Sequence, residues 1–159
     1  LAIGCDDDEP TTPTAETFRA TLNGANERPS PTTTSGAGVA NFTFRRDTLR
    51  WTITMQNMTN VSAAHIHIGD ANTAGGVLLN LVTGTPNNSL IEGFATRAGY
   101  TAPGSPNQNV TFDNLLDMMR NGNQTYVNVH TRNTALPATQ LQAGNYPAGE
   151  IRGQIARTP

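Results

Sequence analysis

The 159 residues amount to one domain, and 14% of them are charged against 36% hydrophobic. Ten Arg, no Lys and twelve acidic residues leave a net charge of −2, without the clustered cations that a nucleic-acid binder needs at phosphates. One Cys excludes an internal disulfide, and no run of about 20 apolar residues offers a membrane-spanning helix.

The chain opens Leu1-Ala2-Ile3-Gly4-Cys5 and continues with Asp6, Asp7, Asp8 and Glu9. Beginning without Met, it reads as the remnant of a longer precursor. A small residue ahead of a Cys, preceded by apolar residues, resembles the processing site of a bacterial lipoprotein signal. The acidic run resembles the export tag of surface lipoproteins in some Gram-negative bacteria. The resemblance implies a lipid on Cys5, membrane attachment through that lipid alone, and a place in the cell envelope or on the outer surface. DDDEPTTPTAE has two Pro and no apolar period, so it cannot offset its ordering entropy by burial. Residues 1–16 are therefore expected to be a signal remnant and a flexible acidic Thr/Pro tether, with the folded domain over 17–157.

The body is rich in Thr (24), Asn (17), Gly (15) and Pro (10), which suits strands and turns and disfavours long helices. Period-two stripes run through Phe18, Ala20 and Leu22, then Ala40, Phe42 and Phe44, then Leu49, Trp51, Ile53 and Met55. Trp51 and the Phe residues are assigned to the core. Further strands are predicted near 63–68, 77–82, 90–97, 125–131 and 150–156, separated by Gly/Pro/Asn turn clusters. One segment departs from this pattern. Thr111 is placed to cap a helix, Asp113 to complement its N-terminus, and Leu115, Leu116, Met118 and Met119 to form its apolar face. Gly122 then ends it as a left-handed residue. Seven or eight short strands with one helix inserted at about 111–121 predict an all-β, antiparallel β-sandwich, Ig-like or superoxide-dismutase-like.

All three His fall on two predicted strands. His65 and His67 are i and i+2 in AAHIHIG and project from one face, about 6.6 Å apart at Cα by the strand rise. His130 shares a face with Tyr126 and Asn128 in TYVNVHT. If the two strands are neighbours, three imidazoles converge on one mononuclear site suited to copper or zinc. No catalytic constellation competes with it. In PAGEIRGQI, Ile151 and Ile155 are read as core-facing, with Glu150, Arg152 and Gln154 outward. Glu150 and Arg152 then form a same-face ion pair of little worth if exposed. Alternatively, Arg152 lies beside the His cluster and presents its cation to an anion. Gly153 is assigned to a close backbone approach or a bulge.

AAHIHIGDANTAGGVLLNL, YVNVHT and PAGEIRGQI, with FRATLNGANERP ahead of them, resemble the motifs of the CHRD (chordin-type) domain from about Phe18 to Ala156. The resemblance implies an antiparallel sandwich with extracellular or cell-envelope placement; it implies no settled biochemical activity, and a non-enzymatic role is the default. A weaker likeness to copper–zinc superoxide dismutase rests on the HxH strand. Three His are too few for its dinuclear site, and one Cys cannot form its disulfide, so no dismutase activity is expected. The leading expectation is a secreted or cell-surface binding or structural module that self-assembles into oligomers or fibres through strand edges. Its partners would be copies of itself, or an extracellular protein or matrix. The alternative is a copper- or zinc-binding protein using His65, His67 and His130.

Overall fold

A computed structural model describes residues 14–103 and 109–159; Cys5, the acidic run and most of the predicted tether lie outside the described residues. The strands are β1 (Glu16–Asn23), β2 (Ala37–Arg45), β3 (Thr48–Gln56), β4 (Val61–Ile68), β5 (Val77–Asn80), β6 (Leu90–Thr96), β7 (Thr125–Thr131), β8 (Ile151–Gln154) and β9 (Ala156–Thr158), with one α-helix, α1 (Phe112–Arg120). Every pairing is antiparallel, in the order β5-β4-β7-β8-β1-β2-β3-β6, with β9 also beside β1. The sheet curls on itself into a sandwich-like, all-β fold. The Trp51 indole of β3 donates across the interior to the carbonyl of Leu81, 2.9 Å away, while the Leu81 amide bonds Ala64 of β4.

The period-two stripes build this interior. Register sets Phe18 against Phe42, Ala20 against Ala40, and Phe42 against Trp51. Ala64 and Ile66 of β4, Val127 and Val129 of β7, and Ile151 of β8 join them in one cluster. Each full burial of a Leu, Ile or Phe side chain contributes about 1.5–3 kcal/mol. Phe94 departs from the core assignment. It stands outward on β6, 56% exposed, with the Arg50 guanidinium 5.3 Å from its ring centre.

The helix forms where its capping residues place it. Thr111 Oγ1 accepts from the Asn114 amide at 3.2 Å, and the Thr111 amide donates back to Asn114 Oδ1 at 3.1 Å. Phe112, Leu115, Leu116 and Met119 are buried, Met118 partly so, and Gly122 takes φ +61° just past the end. Asp113 pairs with Arg97, which also holds Asp47.

The last predicted strand divides in two. The Ile155 amide turns to the carbonyl of Thr125, and Ala156–Thr158 then pair with β1. Gly153 makes the crossing possible, because a Cβ there would lie 2.2 Å from the Thr21 carbonyl oxygen and 2.7 Å from its carbon. Backbone cannot move aside as a side chain can. Gly153→Ala is expected to lower stability by about 2–3 kcal/mol, read from the urea midpoint. The outward placement of Glu150 and Arg152 is overturned. The alternation is in phase, yet loops cover that face, leaving Glu150 0% and Arg152 1% exposed.

Candidate metal centre

β4 and β7 are neighbours, and their register sets Ala63 against His130, His65 against Asn128, and His67 against Tyr126. With Ala64 and Ile66 turned into the core, His65 and His67 share the opposite face with His130. Ring centres lie 5.4 Å apart for His65 and His67, 4.8 Å for His65 and His130, and 5.8 Å for His67 and His130. One nitrogen from each falls within 4.8 Å of the others. The sequence therefore located all three residues, and the fold brings them together.

Backbone carbonyls fix the ring tautomers. His67 Nδ1–H donates to Gly75 O at 2.9 Å, and His130 Nδ1–H donates to Pro147 O at 3.0 Å. Both rings thus leave Nε2 without a hydrogen of its own. His65 Nδ1 lies 3.1 Å from His130 Nε2 and supplies the hydrogen of that bond. His67 Nε2 is buried and has no hydrogen-bond partner. A lone pair so placed costs free energy unless something accepts it.

These residues could hold an ion if the cluster, now spread over up to 4.8 Å, contracts. Metal–nitrogen bonds of about 2.0–2.1 Å put tetrahedral ligand atoms roughly 3.3 Å apart. His65 and His130 are already at 3.1 Å, and side-chain torsions can draw in the wider separations. His65 would exchange its hydrogen from Nδ1 to Nε2, giving the donor set His65 Nδ1, His67 Nε2 and His130 Nε2. The Gly75 and Pro147 carbonyls would then serve as the outer supports that commonly orient metal-bound imidazoles.

Burial holds these rings neutral. It pushes His65 down to about 4, helped by its two His neighbours. Burial likewise pushes His67 down to about 4 against the Gly75 hydrogen bond, and lowers His130. Glu27, 2% exposed, moves the opposite way, its carboxyl raised to about 7 by burial despite nearby Arg152. Unfolding releases these groups to ordinary values of 6.5 and 4.5. Between pH 4.5 and 6.5 the unfolded chain gains protons on the His residues and loses one at Glu27. Net uptake is about one to two protons. Stability of the metal-free protein should thus rise by about 1–2 kcal/mol per pH unit to near pH 6.5. It should then ease off as Glu27's cost completes near pH 7. Urea melts across this range check the sign, and Glu27→Gln should steepen the rise.

Three residues beside the cluster carry less sequence signal. Tyr126 stacks on His67, with ring centres 5.0 Å apart and planes 9° from parallel, and the Arg152 guanidinium lies 3.4 Å from the Tyr126 ring centre. Strand order β4-β7-β8 thus makes a row of His67, Tyr126 and Arg152. Tyr126 was legible from its shared face with His130. Glu27 was not, since no apolar alternation runs through ANERP to mark it for burial. The predicted Glu150–Arg152 pair is also absent. Glu150 accepts from Thr34 Oγ1, Thr131 Oγ1 and the Gly144 amide, whereas Arg152 Nη2 donates to the carbonyls of Asp70 and Thr73.

A family model described as the CHRD domain matches residues 18–136. The chain belongs to the CHRD family. The match takes in most of β1, β2 through β7 and all three His, and stops short of Glu150 and Arg152, although β8 is integral to the sheet. No curated protein matched the chain. CHRD is an extracellular-type module. Among the described residues, no helix is long and apolar enough to cross a membrane.

Proposed function

We propose that this CHRD domain is a non-enzymatic, extracellular metal-binding module that holds one copper or zinc ion on His65, His67 and His130. The observation that carries the reading is His67 Nε2, buried without a partner in a cluster with two imidazoles whose hydrogens are committed elsewhere. Imidazole donors suit either metal, with copper the tighter by the usual order of divalent affinities. Three protein ligands would leave one position for water or an exogenous ligand. Elemental analysis after dialysis against Cu(II) or Zn(II) without chelators should find one ion per chain. A content well under one for both metals removes the reading. Attachment through a lipid on Cys5 belongs to the same proposal, and mass spectrometry of the N-terminal peptide from native membranes tests it.

Self-association is a second reading, favoured by β6. Among the described residues this strand pairs only with β3; it carries one charge (Glu92) and exposes Leu90 and Phe94. Light scattering that finds a strict monomer at high concentration would remove it.

A further inference from the structure

A cavity of about 150 Å³ is lined by Asn26, Arg28, Ala71, Arg152 and Gln154. That is roughly ten times the 10–15 Å³ a single water centre needs. Tyr126 stands between it and His67 in the strand order, so it is separate from the three imidazoles.

Arg152 is the unusual member. Its guanidinium is buried, and among the described residues no carboxylate oxygen lies within 4 Å of it. Nη2 donates to Asp70 O at 2.5 Å, Thr73 O at 2.8 Å and Gln154 Oε1 at 3.3 Å. Nη1 is buried and has no acceptor. A buried cation met only by carbonyls, an amide and a ring face lacks the counter-charge that ordinarily accompanies one. The Glu27 and Asp70 carboxyls act on it only through space. Glu27 Oε2 takes the Asn128 amide at 3.4 Å, and its Oε1 is itself without a partner.

A second cation shares the wall. Arg28 is half-buried, and its Nη1 is fixed by the carbonyls of Ala25 and Glu27 at 3.3 and 2.8 Å. Asn26 and Gln154 complete the lining, and none of the five lining residues is acidic. Two guanidiniums on one small cavity repel each other, and a body with ten Arg and no Lys offers planar forks rather than point charges. An anion presenting two oxygens would accept from Arg152 Nη1 and relieve the repulsion. We propose that this cavity binds a small free oxyanion, of the carboxylate or phosphate kind, between Arg28 and Arg152.

The test uses the full chain stripped of metal, so its outcome is independent of the His reading. Calorimetric titrations with inorganic phosphate and, separately, sodium acetate are run in a chloride background. At least one should saturate at one ion per chain, in the millimolar range or tighter. Arg28→Gln, which touches only loop carbonyls, should weaken that binding by about tenfold or more. Arg152→Gln should abolish it, but this change also frees the loop held at Asp70 and Thr73, so Arg28→Gln carries the comparison. No saturable binding of either ion overturns the proposal. Equal affinity in Arg28→Gln overturns it as well, by placing the ion elsewhere.

Discussion

His67→Ala is expected to abolish stoichiometric copper or zinc binding while leaving the metal-free fold intact. Losing an outer support of a ligated imidazole typically weakens metal affinity by 10–100-fold. Removing one of three ligands should therefore cost about 100-fold or more. The fold should tolerate the change because His67 contributes an orphan as well as contacts. Its Nε2 is buried without a partner, and deleting it removes that cost, offsetting the lost Gly75 bond and the stacking on Tyr126. Competition against a chromophoric chelator measures affinity, and a urea melt of the metal-free protein measures stability. Undiminished affinity in the variant would show that the ion, if bound, sits elsewhere.

Glu150→Ala should be the most destabilising single change outside the apolar core, by about 3–5 kcal/mol. The carboxylate is wholly buried and collects Thr34 Oγ1 at 2.6 Å, Thr131 Oγ1 at 2.5 Å and the Gly144 amide at 2.9 Å. Those donors come from the loop before β2, from β7, and from the loop before β8, so one side chain ties three segments. Alanine would strand all three, at about 1–3 kcal/mol each before water and relaxation recover a part. Glu150→Gln keeps the two bonds at one oxygen and disturbs only the Thr34 contact, so it should cost about half as much. Urea midpoints for the pair distinguish the cases, and a loss under about 1 kcal/mol for alanine would refute the assignment.

The contrast between Glu150 and His130 shows what the sequence carried. Alternation places His130 on one face of β7 and Glu150 and Arg152 on one face of the PAGEIRGQI strand. Those phases hold. Whether such a face meets water depends on loops that alternation does not record. Gly149 brings the loop before β8 so close that a Cβ there would lie 2.4 Å from Asn128 Oδ1. Nothing in the pattern of β7 announces that cover. The same limit hides Glu27, carried inward by a short turn after β1, and the cavity at Arg28 and Arg152. The meeting of His65 with His130 likewise rests on β4 pairing with β7 across 65 positions. Local periodicity named the three imidazoles and not their neighbours. The helix was legible almost to the residue because its capping signals are local.

β1 takes β2 on one side, but its other side is completed by β8 and β9, with Thr17 and Thr158 hydrogen-bonded across 141 positions. A chain made from its N-terminus forms the β1-β2-β3 meander early. One flank of β1 then stays unpaired until β8 and β9 have been made. During that interval the meander offers an open row of backbone donors and acceptors to any passing strand. Folding of this domain should consequently be slow to finish and sensitive to delay between the making of β3 and that of β8, since its decisive contacts are among its longest in sequence.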